Sequence, residues 1–149
     1  HIEALKARLD LLLGMPPVTA TTLPKVMPRK GVYLFSEDGK HLYVGRSNDI
    51  KKRIKRHSMP SATHRMAAFA FRLAREKTGN LKATYKKGNG SRKALMEDTL
   101  FVKAFDAAKA RIREMNVRFV EENDPVRQAL LEIYVAVIYN TPYNDFDNH

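Results

Sequence analysis

The strongest constraint on the fold is a pair of short runs rich in β-forming residues, 31–36 and 41–46, that flank a turn-forming segment. Valine, tyrosine and phenylalanine favour the pleated, half-buried surface of a sheet. The intervening Glu37-Asp38-Gly39-Lys40 contains an Asp-Gly pair, which is typical of tight hairpins. The sequence therefore predicts an antiparallel hairpin.

The hairpin register decides whether the tyrosine of each run, Tyr33 and Tyr43, can act together. A two-residue loop would place the two side chains on opposite faces of the sheet, because a slip of one residue reverses every side chain. A three-residue loop, 37–39, would make them direct cross-strand neighbours. Its last residue is a glycine, which suits the left-handed position that ends such a loop, so we predict this register. Pairing of Glu37 with Lys40 would contradict this register and, with it, a site shared by the two tyrosines.

The remaining elements are mostly helical. Apolar spacing predicts helices at about 2–13, 47–57, 62–77, 91–114 and 125–139, and alternation predicts a third strand at 116–121. Ser47, Ser91 and Asp124 are the predicted N-caps, and Pro125 opens the last helix. We therefore predict one domain of the α/β (α+β) class, with a small three-stranded antiparallel sheet flanked by helices.

Two segments lie outside these elements. Residues 1–30 are predicted to form an N-terminal helix and a proline-rich, extended lead-in to the main domain, 31–149. Three glycines bracket a basic loop that contains Tyr85, Lys86 and Lys87. Asp145, Asp147 and His149 are interpreted as a tail without a ligand role.

The charge balance points to a polyanionic partner. The 149 residues contain 27 Lys and Arg against 16 Asp and Glu, a net charge of +11. Neutralising backbone phosphates releases counterions and gives sequence-independent affinity, so we expect nucleic acid. The basic residues do not form one apolar-backed helix, which disfavours a membrane surface. A merely basic, soluble surface is the alternative.

Composition also excludes several classes of site. Without cysteine the chain cannot form disulfides, zinc-thiolate sites or a catalytic thiolate. We see no signal peptide, and no apolar run reaches the length of a membrane span, so we expect a cytoplasmic protein.

The last predicted helix carries a single carboxylate, Glu132, among residues that are apolar on nearly every side. A helix of this composition is expected to be buried. An unpaired buried charge is costly, so Glu132 must find a cation. Two partners are open at this point: a metal ion, or one of the many arginines.

Several of these residues together resemble the GIY-YIG nuclease family. Gly31-Val32-Tyr33 and Tyr43-Val44-Gly45 are similar to the two triplets in the family's name, with valine replacing isoleucine in both. Arg53 and His57 follow in the next helix, and Glu132 precedes a closing Thr141-Pro142-Tyr143-Asn144. The resemblance covers about 31–57 and 126–144. Residues 58–115 match nothing in it, and we predict that they are a helical insertion.

The resemblance implies a metal-dependent endonuclease that hydrolyses DNA phosphodiester bonds with one Mg²⁺ or Mn²⁺ ion on Glu132. A tyrosine would activate water, with Tyr33 preferred as the base, and Arg53 would stabilise the transition state. The implied catalytic residues are Tyr33, Tyr43, Arg53, His57, Glu132 and Asn144. The implied substrate contacts are Gly45, Arg46, Lys52 and Arg56.

Other readings remain open. The chain could be a non-catalytic nucleic-acid-binding module on the same fold, or a basic structural protein. In the insertion, Met66, Phe69 and Phe71 could shape a groove for single strands, although core-forming helices are the favoured interpretation. Single- versus double-stranded substrate, and monomer versus homodimer, are likewise open.

Overall fold

The computed structural model describes residues 2–79 and 91–146. The predicted basic loop around Tyr85, and the tail residues Asp147 and His149, lie outside the described residues. The elements follow in the order α1 (Ile2–Gly14), β1 (Gly31–Glu37), β2 (Lys40–Ser47), α2 (Ile50–Ser58), α3 (Ala68–Thr78), α4 (Arg92–Glu97), α5 (Thr99–Arg113), β3 (Asn116–Glu121) and α6 (Pro125–Tyr139).

The chain divides into two compact units. Residues 1–55 and 115–149 form the core unit, and residues 56–114 form the inserted unit. The predicted insertion was 58–115.

The core unit contains a three-stranded antiparallel sheet in the order β2-β1-β3. The predicted α+β class is therefore confirmed. Strand β1 is central, and its residues 31–36 are all buried. The outer edge of β3 is partly covered, because Val18 of the lead-in bridges Val117.

The predicted three-residue hairpin loop is wrong. Glu37 pairs with Lys40, and the loop consists of two residues, Asp38 and Gly39. Both have positive φ, at 52° and 78°. Two successive left-handed residues make a type I′ turn, whose twist matches that of the flanking strands. The Asp-Gly pair tolerates this geometry, and it outweighed the preference for a three-residue loop.

A bulge nevertheless brings the two tyrosines to one face. The register shifts after the pair Phe35–Tyr43, so that Leu42 has no partner of its own in the hairpin. This extra residue reverses the facing of the rest of β2. Tyr33 is therefore directly opposite Gly45, and Tyr43 lies two residues along on the same face. The tyrosines are diagonal neighbours rather than a direct pair.

Helices α1 and α6 pack on the other face of the sheet. Their buried side chains form a core with the alternate strand residues; its members are Leu9, Leu12, Val32, Leu34, Val44, Val120, Leu131, Val135 and Ala136. Asp124 caps α6 by accepting from the Arg127 N–H, as predicted. At α2, however, the predicted cap Ser47 is replaced by Asp49, whose Oδ1 accepts from the Lys52 N–H.

Helix α6 is not buried on every side, contrary to the expectation from its composition. Val126, Leu130, Ile133 and Val137 are exposed, while Leu131 and Val135 are fully buried. Only one side of the helix meets the sheet. Glu132 lies between the two sides, with 19% of its side chain exposed.

The inserted unit is helical. The single helix predicted at 91–114 is divided into α4 and α5 at Asp98, whose carboxylate caps α5 through the N–H groups of Leu100 and Phe101. The helix predicted from residue 62 begins at Ala68. Phe69 and Phe71 are fully buried, which favours core-forming helices over a stacking groove.

Candidate active site

Tyr33 lies over Gly45. The ring belongs to the central strand and is 1% exposed. A Cβ atom at position 45 would overlap its hydroxyl and ring carbons. Glycine at this position of the edge strand therefore lets the Tyr33 hydroxyl lie against the backbone of β2. Gly45 was expected to contact substrate, and in the structure the group that lies against it is the side chain of Tyr33.

Tyr33 lies within electrostatic range of three other predicted site residues, Tyr43, Arg53 and Glu132. Burial raises the pKa of the Tyr33 hydroxyl well above its usual 10.0, and the neighbouring Tyr43 and Glu132 raise it further, against the lowering effect of Arg53. These four residues come from β1, β2, α2 and α6. The fold thus brings together residues that span a hundred positions in the chain.

Glu132 has an arginine partner. Its Oε1 lies 3.5 Å from Nε of Arg46, whose side chain is 47% exposed. Burial raises the pKa of the Glu132 carboxyl above its usual 4.5, while Arg46 and Arg53 lower it. Of the two partners considered for Glu132, a metal ion or an arginine, the structure contains the arginine. Because the pair is partly exposed, its contribution to stability is modest.

The donor set fits a hard cation that keeps most of its water. Within residues 2–79 and 91–146, no cluster of three or more His, Cys, Asp or Glu side chains could hold a metal ion. Mg²⁺ is commonly bound by one or two carboxylates together with substrate phosphate oxygens. Glu132 can supply that carboxylate. Arg46 and Arg53 oppose a cation there until an anionic substrate offsets their charge.

Asn144 is attached to the outer edge of β2. Its Oδ1 accepts from the Val44 N–H at 2.9 Å, and its Nδ2 donates to the Val44 carbonyl at 2.7 Å. The Thr141 hydroxyl donates to the same Oδ1 at 2.7 Å. Both ends of the amide therefore act on the main chain. This geometry supports a positioning role for Asn144 rather than direct contact with the reacting phosphate.

Three predicted site residues remain to be placed: Lys52, Arg56 and His57. Lys52 is exposed on α2. Arg56 and His57 belong to the inserted unit, where His57 is 2% exposed and its ring lies edge-on to Phe69. Their roles stay predictions.

Two contributions were missed at the sequence level. Arg46 was expected to contact substrate, but its ion pair with Glu132 was not foreseen. A signal existed, because Val44 and Arg46 are two residues apart on β2 and therefore point to the same face, where Val44 is buried in the core. The buried Thr141, which holds Asn144, carried no comparable signal.

Comparison with known proteins agrees with this arrangement. A family model described as the GIY-YIG catalytic domain matches residues 29–144. No curated protein and no solved structure gives a significant match. The fold and the site define a small α+β protein with the nuclease-family hairpin. The chain belongs to the GIY-YIG family.

Proposed function

We propose that this protein is an endonuclease that hydrolyses DNA phosphodiester bonds with one divalent ion, Mg²⁺ or Mn²⁺. The observation that carries the proposal is the convergence of Tyr33, Tyr43, Arg53 and Glu132 in the core unit. A phosphodiester cleavage site needs cations near the developing charge, a carboxylate for the metal and groups that orient water. These side chains provide each type of group.

Glu132 would hold the ion, which would supply charge stabilisation at the leaving oxygen when bound. Arg53 would contact the scissile phosphate, since a guanidinium can donate to two phosphate oxygens at once. Arg46 would leave Glu132 for a substrate phosphate, because its side chain is the more exposed member of the pair.

The tyrosines would divide their roles. Tyr33 was preferred as the base, but burial raises its pKa well above 10.0, so its hydroxyl stays protonated at neutral pH. We therefore assign Tyr33 to holding the attacking water by a hydrogen bond. Tyr43 is half-buried and therefore the more accessible of the two. We assign it the role of the base that accepts a proton from the water.

The test compares Glu132→Gln with wild type on labelled single- and double-stranded DNA, in Mg²⁺, Mn²⁺ or chelator. The substitution keeps the shape of the side chain and removes its charge. We expect cleavage to fall at least about 10²-fold, as for loss of one electrostatic stabiliser, while DNA binding in chelator persists.

The matched control is Glu121→Gln, an exposed carboxylate of the same unit. It should cut as wild type does. Equal cleavage by Glu132→Gln and wild type would remove Glu132 from the site. A wild-type protein that binds DNA but never cuts it with either metal would instead be the non-catalytic binding module.

A further inference from the structure

The net charge is divided very unequally between the two units. The inserted unit contains 14 Lys and Arg against 5 Asp and Glu, a net charge of +9. The core unit contains 13 against 11, a net charge of +2, which completes the chain's 27 and 16. The unit that carries Tyr33 and Glu132 is therefore nearly neutral. It has little of the charge excess that gives affinity for a phosphate backbone.

Much of the excess charge in the inserted unit is at its surface. Lys77 on α3, Lys93 on α4 and Lys103 on α5 are all exposed. Lys109 shows the contrasting case: it is buried, and its Nζ donates to the carbonyls of Pro60 and Ala62 at 2.7 and 3.0 Å. That lysine supports the fold, whereas the three exposed lysines have no such role in the described contacts.

Arginines also gather around one ring of this unit. The guanidinium carbons of Arg92 and Arg75 lie 4.7 and 5.9 Å from the centre of the Phe71 ring. Burial lowers the pKa of the nearby His64, and Arg92 and Arg65 lower it further. Three guanidinium groups thus come from α3, α4 and the preceding turn segment.

We infer that the inserted unit is the part of this protein that holds the polynucleotide backbone, with DNA as the ligand. The residues that would contact the backbone are Lys77, Lys93 and Lys103 together with Arg65, Arg75 and Arg92. This inference rests on the proposed function, since it names what brings the substrate to the enzyme. Binding through lysine and arginine charge would be largely independent of base sequence and strongly dependent on salt.

The test compares two triple variants that remove the same charge. One is Lys77→Gln, Lys93→Gln and Lys103→Gln in the inserted unit. The other is Lys6→Gln, Lys25→Gln and Lys40→Gln, three exposed lysines of the core unit. Binding to duplex DNA, single-stranded DNA and single-stranded RNA of one length is measured in chelator over a range of salt concentrations, and thermal unfolding confirms that both variants fold.

We expect the inserted-unit variant to bind DNA at least about tenfold more weakly at 0.1 M salt, with a salt slope smaller by about 2 to 3 units. The core-unit variant should stay within about twofold of wild type. If RNA binding falls by the same factor, the feature recognised is the charge of the backbone. If only DNA binding falls, the inserted unit distinguishes DNA from RNA. Equal weakening by both variants, or greater weakening by the core-unit variant, would overturn the inference.

The outcome is separable from that of the proposed function. At saturating DNA the core-unit variant should cleave at the wild-type single-turnover rate, because Lys6, Lys25 and Lys40 belong neither to the proposed site nor to the proposed binding residues. Glu132→Gln should bind normally and fail to cut. Cleavage by Glu132→Gln would remove the assigned metal site while leaving the charge assignment intact, and failure of wild type to bind any polynucleotide at low salt would overturn the assignment itself.

Discussion

At the scale of single residues, the candidate site contains a close packing contact between Tyr33 and the backbone of Gly45. The hydroxyl of the tyrosine occupies space that any side chain at position 45 would need. Gly45 thus has a packing role that does not depend on substrate. Since this contact sets the position of the Tyr33 hydroxyl, it also bears on the site.

Gly45→Ala should therefore lower both stability and activity. The added methyl group must displace the Tyr33 ring, and overpacking of this kind costs about 1–3 kcal/mol. Displacement of a positioned group by about 1 Å can reduce the rate roughly 10²-fold. Urea denaturation and DNA cleavage measure the two effects. Gly14→Ala is the control, because a Cβ there meets nothing within 4 Å; equal stability of the two variants would contradict the packing role.

His41 provides a pH-dependent contribution to stability. Its Nδ1 lies 2.6 Å from the Ser36 hydroxyl, and its ring packs edge-on to Tyr139. Burial lowers the pKa of His41 below its usual 6.5, and Arg118 lowers it further. The unfolded chain then binds the proton more readily than the folded one, so stability is full above 6.5 and is lost as the pH falls from there through the lowered pKa.

His41→Gln should remove this dependence. The difference in unfolding free energy between wild type and His41→Gln, measured in urea from pH 7.5 to 5, should shrink as the solution becomes more acidic. Other histidines contribute equally to both proteins and cancel in the difference. A difference that stays constant over this range would show that His41 does not titrate as its surroundings indicate.

At the scale of secondary-structure elements, two features of the hairpin have opposite effects on which face Tyr43 occupies. The two-residue turn by itself would separate Tyr33 and Tyr43 onto opposite faces. The bulge at Leu42 adds one residue and brings them back to the same face. Given the two-residue turn, the bulge is needed for the tyrosines to share a face, which explains how an incorrect loop prediction led to a correct shared face.

The segment after α6 is hydrogen-bonded to the outer edge of β2 through the side chain of Asn144. Asn144→Ala would leave the N–H and carbonyl of the fully buried Val44 without these partners. Each unsatisfied buried group costs about 1–3 kcal/mol, so we expect a loss in this range or above. Thermal unfolding monitored by circular dichroism measures it.

Asn123→Ala is the matched control, since Asn123 is exposed. A surface substitution of this kind should change stability by less than about 0.5 kcal/mol. If Asn144→Ala were as stable as the control yet inactive, Asn144 would act on the substrate rather than on the strand.

At the scale of the whole molecule, the proposed catalytic groups and most of the net charge belong to different units. Tyr33, Arg53 and Glu132 belong to the core unit, whereas +9 of the net charge of +11 belongs to the inserted unit. None of the helices in residues 2–79 and 91–146 combines the length and apolar character required to cross a bilayer. An arrangement of this kind allows affinity and chemistry to be altered by separate substitutions.

The sequence by itself determined the elements and the family. The hairpin, the third strand and α6 were predictable because strand propensity, capping by Asp124 and the Asp-Gly turn act within a few residues. The two triplets and Glu132 identified the family, because their residue types and order can be read without coordinates.

Only the tertiary structure decided how these parts meet. The pairing of Arg46 with Glu132 and the attachment of Asn144 to Val44 join residues that are far apart in the chain, and the bulge at Leu42 interrupts the regular alternation of its strand. Likewise, α6 has apolar residues on every side, so its composition could not tell which side would be buried. Packing against α1 and the sheet selected that side and left Glu132 at its margin, beside Arg46.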